Sequence, residues 1–147
     1  MKSKKTLSIL LVLILMVGAV AGVMGYKRSQ SGVIAYVKNH TEEMTAYAQD
    51  LLETGTAGEA QAFHDWPVTV DPNRGQVEFF TSGSGMGSET SYKGVYYSAA
   101  DTPLGVQGAE LDFTAAENGW RWEEADGDNW QYTERIVAHW FWYEAHY

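Results

Sequence analysis

The 147-residue sequence predicts an α+β protein: an N-terminal transmembrane or signal helix, then one amphipathic helix packed on an antiparallel meander sheet of about five or six strands. Three observations predict this fold. An uncharged apolar run lies near the start, apolar residues then recur at helical spacing, and from Val68 onward apolar and polar residues alternate with the two-residue period of strands. The chain therefore divides into residues 1–28 and a domain of residues 29–147.

The apolar run extends from Leu7 to Met24 without a charge, and as a helix it would measure about 27 Å, close to the hydrocarbon thickness of a bilayer. Lysines precede it, which favours a single-pass membrane protein with its N-terminus inside and its C-terminal domain outside. The alternative is a signal peptide, cleaved near Ala19-Val20-Ala21 or Val23-Met24-Gly25, and a secreted domain. Both interpretations place residues 29–147 outside the cytoplasm.

Charge is distributed unevenly between the two parts. Five of the ten basic residues lie within residues 1–28, whereas all nineteen acids follow, so residues 29–147 carry five bases, nineteen acids and a net charge of −14. Such a domain repels phosphate backbones, which argues against nucleic acid as a partner. The absence of cysteine excludes disulfides, thiolate metal sites and cysteine nucleophiles. No cofactor is predicted.

A helix is predicted after residue 30, with Ser29 or Ser31 as its N-cap and Gly55 at its end. Its apolar stripe should lie on the sheet and consists of Val33, Val37, Met44, Ala48 and Leu51. Residues 54–61 are small and polar and predict a linker. The aromatic segment around Phe63 and Trp66 should return to the core.

Period-two segments separated by turn residues predict the strands. They cover residues 68–70, 76–81, 92–98, 110–114, 120–124 and 130 to about 145. Residues 82–88 (SGSGMGS) predict a loop, and Asn118-Gly119 predicts a hairpin.

The last predicted strand is apolar or aromatic on both faces, which is typical of a central strand. The helix can cover one face. The other face must be covered by the loops around residues 55–66 and 99–108, or else it is an exposed aromatic surface. Exposed rings could stack on sugars or grip a peptide, whereas buried rings would simply fill the core. The candidate binding residues are Tyr96, Tyr97, Trp140, Phe141, Trp142 and Tyr143.

Two further groups could carry chemistry. Asp126, Asp128 and Asn129 offer oxygen ligands of the kind calcium takes, although the same residues form ordinary turns. His64, Asp65 and Glu144 could form an acid–base group only if the fold brought them together. His139 is the one histidine predicted inside the sheet, as a hydrogen-bonded core residue.

The lysine-led apolar segment of residues 2–25, the aromatic strand Gly94-Val95-Tyr96-Tyr97-Ser98 and the final aromatic run from His139 to Tyr143 resemble small membrane-anchored or secreted envelope proteins of Gram-positive bacteria. The resemblance implies a location and an architecture. It carries no activity and no functional residue.

These observations predict a membrane-tethered, extracytoplasmic interaction domain without catalytic activity, whose partner would be an envelope protein or a glycan. A carbohydrate- or cell-wall-binding module using the sheet aromatics is the first alternative. A small hydrolase using His64, Asp65 or Glu144 is the second.

Overall fold

The computed structural model describes residues 29–55, 61–86 and 89–147, which form two helices and one eight-stranded antiparallel sheet. The helices are α1 (Gln30–Asn39) and α2 (Thr41–Thr54). The strands are β1 (Gln61–Phe63), β2 (Trp66–Asp71), β3 (Gln76–Met86), β4 (Glu89–Ser98), β5 (Thr114–Ala116), β6 (Gly119–Glu123), β7 (Trp130–Val137) and β8 (Trp140–His146). The α+β class is confirmed, but the sheet is larger than the predicted five or six strands.

The predicted single helix is two helices that meet at His40. Ser29 caps α1, and its hydroxyl accepts a hydrogen bond from the backbone N–H of Gly32 at 3.2 Å. At the junction the Thr41 hydroxyl donates to the Val37 carbonyl at 2.7 Å. Such local side-chain bonds satisfy backbone groups that an unbroken helix would use, so the helix can break here. The predicted apolar stripe is nevertheless buried along both helices, from Val33 to Leu51.

The sheet consists of two four-stranded meanders joined side by side, in the order β1-β2-β3-β4-β8-β7-β6-β5. Strand β8 therefore lies between β4 and β7, and the prediction that the final aromatic strand is central is confirmed. Both outer strands, β1 and β5, have only three residues, which limits the backbone they expose for unwanted pairing.

The prediction that residues 130 to about 145 form a single strand is wrong. The segment is a hairpin, because the chain turns at Ala138 and His139, and His139 adopts a left-handed backbone conformation with φ 66°. A register shift between Arg135 and Val137 precedes the turn. Alternation along one regular strand would place Ile136 and Val137 on opposite faces, but with this shift both pack against the core beneath the helices.

Two other predicted elements differ. Residues 110–113 are not a strand, since β5 begins only at Thr114. The serine-glycine run predicted as a loop instead continues β3 as far as Met86, because its backbone pairs with β4. The hairpin predicted from Asn118-Gly119 is confirmed and joins β5 to β6, but its two turn residues are Glu117 and Asn118, and Gly119 already pairs with Ala116.

The core has two parts, one on each face of the sheet. The face that carries α1 and α2, here the helix side, buries Val77, Val95, Trp140 and Trp142 together with Phe63 and Trp66, which return to the core as predicted. The opposite face buries Tyr96, Phe141, Tyr143 and Ala145 beneath Val106. Val106 belongs to the connection between β4 and β5, residues 99–113, here called the strap.

Neither helix of the described chain is long and apolar enough to cross a membrane. The predicted anchor from Leu7 to Met24 lies outside the described residues.

Candidate interaction surface

All six predicted binding aromatics are buried, with at most 4% of any side chain exposed. Tyr97, Trp140 and Trp142 lie under the helices, and Tyr96, Phe141 and Tyr143 lie on the strap side of the sheet. The rings pack on one another, for example Tyr96 on Phe141 with centroids 5.2 Å apart and planes 7° apart. None of these rings offers an open face to a sugar. The helices cover one face of β8, and the strap, which contains the predicted covering loop around residues 99–108, covers the other.

Buried polar side chains fasten the strap to the sheet. Gln131 accepts a hydrogen bond from the Val106 N–H and donates one to the Leu104 carbonyl, both at 3.0 Å. The Tyr96 hydroxyl accepts the Leu104 N–H at 3.0 Å and shares a 2.8 Å hydrogen bond with the Thr133 hydroxyl. Burial raises the pKa of Tyr96 to about 12. These bonds satisfy backbone groups that would otherwise be costly to bury.

Arg74, in the turn between β2 and β3, holds the other half of the strap. Its guanidinium donates to the carbonyls of Gly105 and Ala109 at 3.1 and 2.9 Å. Glu78 on β3 accepts the N–H of Gln107 at 2.9 Å. Burial raises the pKa of Glu78 to about 7, although the Gln107 hydrogen bond and Arg74 both act to lower it. The strap is therefore a structural cover held mainly by polar contacts.

The candidate acid–base group does not assemble. His64 and Asp65 are exposed in the turn between β1 and β2, while Glu144 lies on β8 and pairs with Lys93. Strands β3 and β4 separate β2 from β8, which corresponds to about 14 Å across three strand spacings. That distance exceeds hydrogen-bond reach, even through one water, so these residues do not act on one reacting atom.

The Asp126–Asn129 segment is a turn closed by a hydrogen bond from the Glu124 N–H to the Asn129 carbonyl at 2.9 Å. Asp126 and Asp128 are exposed. Within the described ranges no group of three or more histidine or acidic side chains is arranged to hold a metal ion.

His139 lies in the β7–β8 turn, not inside the sheet, so its predicted position is wrong. Its Nδ1 is 3.0 Å from the Ser98 carbonyl, and its backbone N–H donates to the Asp101 carboxylate at 2.7 Å. That hydrogen bond is the largest of several effects that lower the pKa of Asp101, which also pairs with Arg135. His139 thus connects the β7–β8 turn to the start of the strap.

The helix side of the sheet opens into a polar groove beside the start of α1. It encloses about 270 Å³ and is lined by Ser29, Gln30, Ser82, Gly83, Ser84, Ser91 and Lys93. Lys93 is the one charged residue of this lining, and its ammonium group is 2.8 Å from the Glu144 carboxylate. Hydroxyl, amide and backbone groups otherwise form the groove.

Side chains on the neighbouring strands continue this polar surface. The Ser91 hydroxyl is 3.3 Å from Nδ1 of His146, whose ring stacks on Trp130 at 6.2 Å. The guanidinium of Arg121 lies 4.6 Å from the centre of the Trp130 ring. These four residues, Ser91, His146, Trp130 and Arg121, are only half-buried. Residues on the same face beneath the helices are almost completely buried.

Sequence reasoning missed this groove. Its residues are serines, a glycine, a glutamine and a lysine that no motif connects, and residues 82–88 predicted a loop. The detectable signal is the run of small, uncharged residues from Thr81 to Gly85, which lets β3 extend past the end of β2 without burying apolar surface.

No protein-family model matches the chain, and comparisons with the curated proteins and with solved structures also find no match.

Proposed function

We propose that this chain is a membrane-tethered, extracytoplasmic interaction domain of the cell envelope that has no catalytic activity of its own. The observation that carries this proposal is the division of the sequence at residue 28: an uncharged run from Leu7 to Met24 precedes a domain that holds all nineteen acids. An uncharged run of this length partitions into a bilayer, and the acidic remainder stays in water.

The folded part supports a binding role in two ways. The acid–base candidates are separated by three strand spacings, so the chemistry that the sequence left open lacks a shared site. The polar groove, in contrast, brings together residues from α1, β3 and β4 and remains accessible. Ser29 lines this groove, so a tether ending at residue 28 would hold the groove near the membrane surface.

Fractionation and protease accessibility test the tether. The full chain with a C-terminal reporter should sediment with membranes, resist extraction by salt and dissolve in detergent. External protease should digest the reporter in cells whose outer layers have been removed. Leu15→Lys places a charge at the centre of the apolar run and should release the chain from the membrane fraction, since a central charge costs about 3 kcal/mol.

Thr6→Lys is the matched control, because it adds the same charge at the flank of the apolar run and should leave the protein in the membrane. Recovery of the unaltered chain in the soluble cytoplasmic fraction would overturn the proposal. In cross-linking of intact envelopes with the anchor retained, absence of any cross-linked partner would argue against an interaction role.

The carbohydrate-binding alternative has lost its main support, since it depended on exposed rings and the six aromatics are buried.

A further inference from the structure

Among the residues that the structure describes, the rim of the polar groove is an unpaired strand edge. The pairing of β2 with β3 ends at Val68 and Phe79, but β3 continues to Met86, paired with β4 on its other side. In the described ranges no strand pairs with the outer edge of β3 beyond Phe79. Ser82, Gly83, Ser84 and Gly85 therefore form a free edge without charge or proline.

Backbone alternation identifies which groups face outward. Thr90 and the terminal Tyr147 exchange two hydrogen bonds, at 2.9 and 3.0 Å, so the N–H and C=O of Thr90 point away from β3. Those of Ser91, the next residue, point toward β3 and its register partner Ser84. On β3 the N–H and C=O groups of Gly83 and Gly85 consequently point to the free edge.

This arrangement suits the addition of a strand from another polypeptide. An added strand gains affinity from main-chain hydrogen bonds and specificity from pockets that accept alternate side chains. Here the outward backbone groups belong to two glycines, which hinder an incoming chain least. The polar groove lies on the helix side of the same edge, where alternate side chains of an added strand would enter.

The two faces of the edge indicate the chemistry of that strand. Serine hydroxyls and the Gln30 amide favour hydroxyl or amide side chains of the added strand in the groove. Lys93 disfavours a basic side chain there, and the net charge of −14 on residues 29–147 disfavours an acidic one. On the strap side the half-buried Phe80 ring lies against Gly83 and near Tyr92 at 6.2 Å. Aliphatic side chains fit that side.

We propose that the free edge of residues 82–85 binds an extended peptide segment that alternates hydroxyl and aliphatic residues, by strand addition to β3. A second copy of this chain is a poorer occupant, because four residues bury far less than the roughly 1,200 Å² of a stable dimer and both copies carry the same large charge. The inference rests on the proposed interaction role and names its surface.

The test uses the full chain in mild detergent and a fluorescent synthetic peptide, Lys-Thr-Val-Thr-Val-Thr-Val-Lys with blocked ends. Saturable binding should slow hydrogen exchange at the Gly83 and Gly85 amides by about tenfold, the change expected for one hydrogen bond of average strength. In an antiparallel added strand the residues opposite Gly83 and Gly85 have strap-side side chains, so the valines donate to β3. A peptide whose middle valine, at position 5, is replaced by proline should bind about tenfold more weakly, because it lacks one donor.

Ser84→Lys keeps the backbone intact and adds a second cation to the groove, so it should weaken binding severalfold. Ala100→Lys adds the same charge in an exposed turn and should leave the affinity unchanged. Equal binding of the two peptides, or unchanged exchange at Gly83 and Gly85, would overturn the inference. If the chain is found outside the membrane but the peptide still slows exchange at Gly83 and Gly85, the proposed tether is overturned and the binding site on the strand edge is supported.

Discussion

The carboxylate of Glu78 accepts a hydrogen bond from the backbone N–H of Gln107 at 2.9 Å, which places a half-buried acid under the strap. Burial is the largest effect on this group and raises its pKa to about 7 from an ordinary value of 4.5. Gln107 itself has a left-handed backbone conformation with φ 54°, next to Gly108 at φ 75°. The sharp bend of the strap is therefore coupled to a group that titrates near neutral pH.

The first prediction concerns pH. Because the pKa of Glu78 is raised in the folded state, its contribution favours folding fully below about pH 4.5 and is lost as the pH rises toward 7. Over this range the free energy of unfolding should fall by roughly 1–3 kcal/mol through this group. Urea unfolding of the Glu78→Gln variant should show a correspondingly flatter pH dependence. Parallel pH profiles of the two proteins would contradict the prediction.

The second prediction concerns the bond between α2 and the sheet. The indole N–H of Trp140 donates to the Thr45 hydroxyl at 2.9 Å, and the Trp140 side chain is fully buried. Thr45→Val leaves that donor unpaired and should lower the free energy of unfolding by about 1–3 kcal/mol. Thr54→Val makes the same change at an exposed site at the end of α2 and should cost less than about 0.5 kcal/mol. Similar losses in both variants would refute the assignment.

The third prediction concerns the strap. Gln131 is fully buried and satisfies the Val106 N–H and the Leu104 carbonyl, so Gln131→Leu leaves two backbone groups without partners. We expect the free energy of unfolding to fall by about 2–4 kcal/mol and hydrogen exchange at the Val106 amide to become faster. Gln49→Leu is the control: it removes a hydrogen bond of 3.3 Å to the Tyr97 hydroxyl on the helix side of the sheet and should leave the Val106 amide unchanged. Normal protection of Val106 in Gln131→Leu would mean that other contacts hold the strap.

The fourth prediction compares two glycines. A Cβ at Gly94 would collide with the backbone carbonyl of Phe79 and would stand 2.8 Å from the Tyr143 ring. Gly94→Ala should therefore destabilise the central strands by about 2–4 kcal/mol. At Gly108 a Cβ would meet nothing within 4 Å, but φ is +75°, so Gly108→Ala should cost only about 1 kcal/mol of backbone strain. Thermal unfolding of both variants measures the order, and a reversed order would contradict the packing described here.

Several parts of the fold follow from local patterns. Apolar residues from Val33 to Leu51 recur at helical spacing, and they are buried although the helix breaks at His40. The break was not predicted, because it depends on the Thr41 hydroxyl reaching the Val37 carbonyl, a bond for which the apolar spacing has no signal. Thr54 and Gly55 end α2 where the glycine predicted it.

The candidate surface was predicted poorly for a different reason. Aromatic residues such as Phe141 and Tyr143 mark either a core or an exposed stacking face, and the choice depends on what covers them. The groove at Ser82 and Ser91, in contrast, consists of small residues that carry no pattern of their own. Its existence depends on β3 extending past the end of β2.

The sequence by itself determined the apolar run before residue 28, the helical and two-residue periods, and the central position of the aromatic strand, because each depends only on the spacing of apolar residues. Only the tertiary structure decided that the strap buries Tyr96 and Phe141 and that the chain reverses at His139. Those outcomes depend on hydrogen bonds between residues far apart in the chain, such as Gln131 with Val106 and His139 with Asp101, which short-range periodicity does not encode.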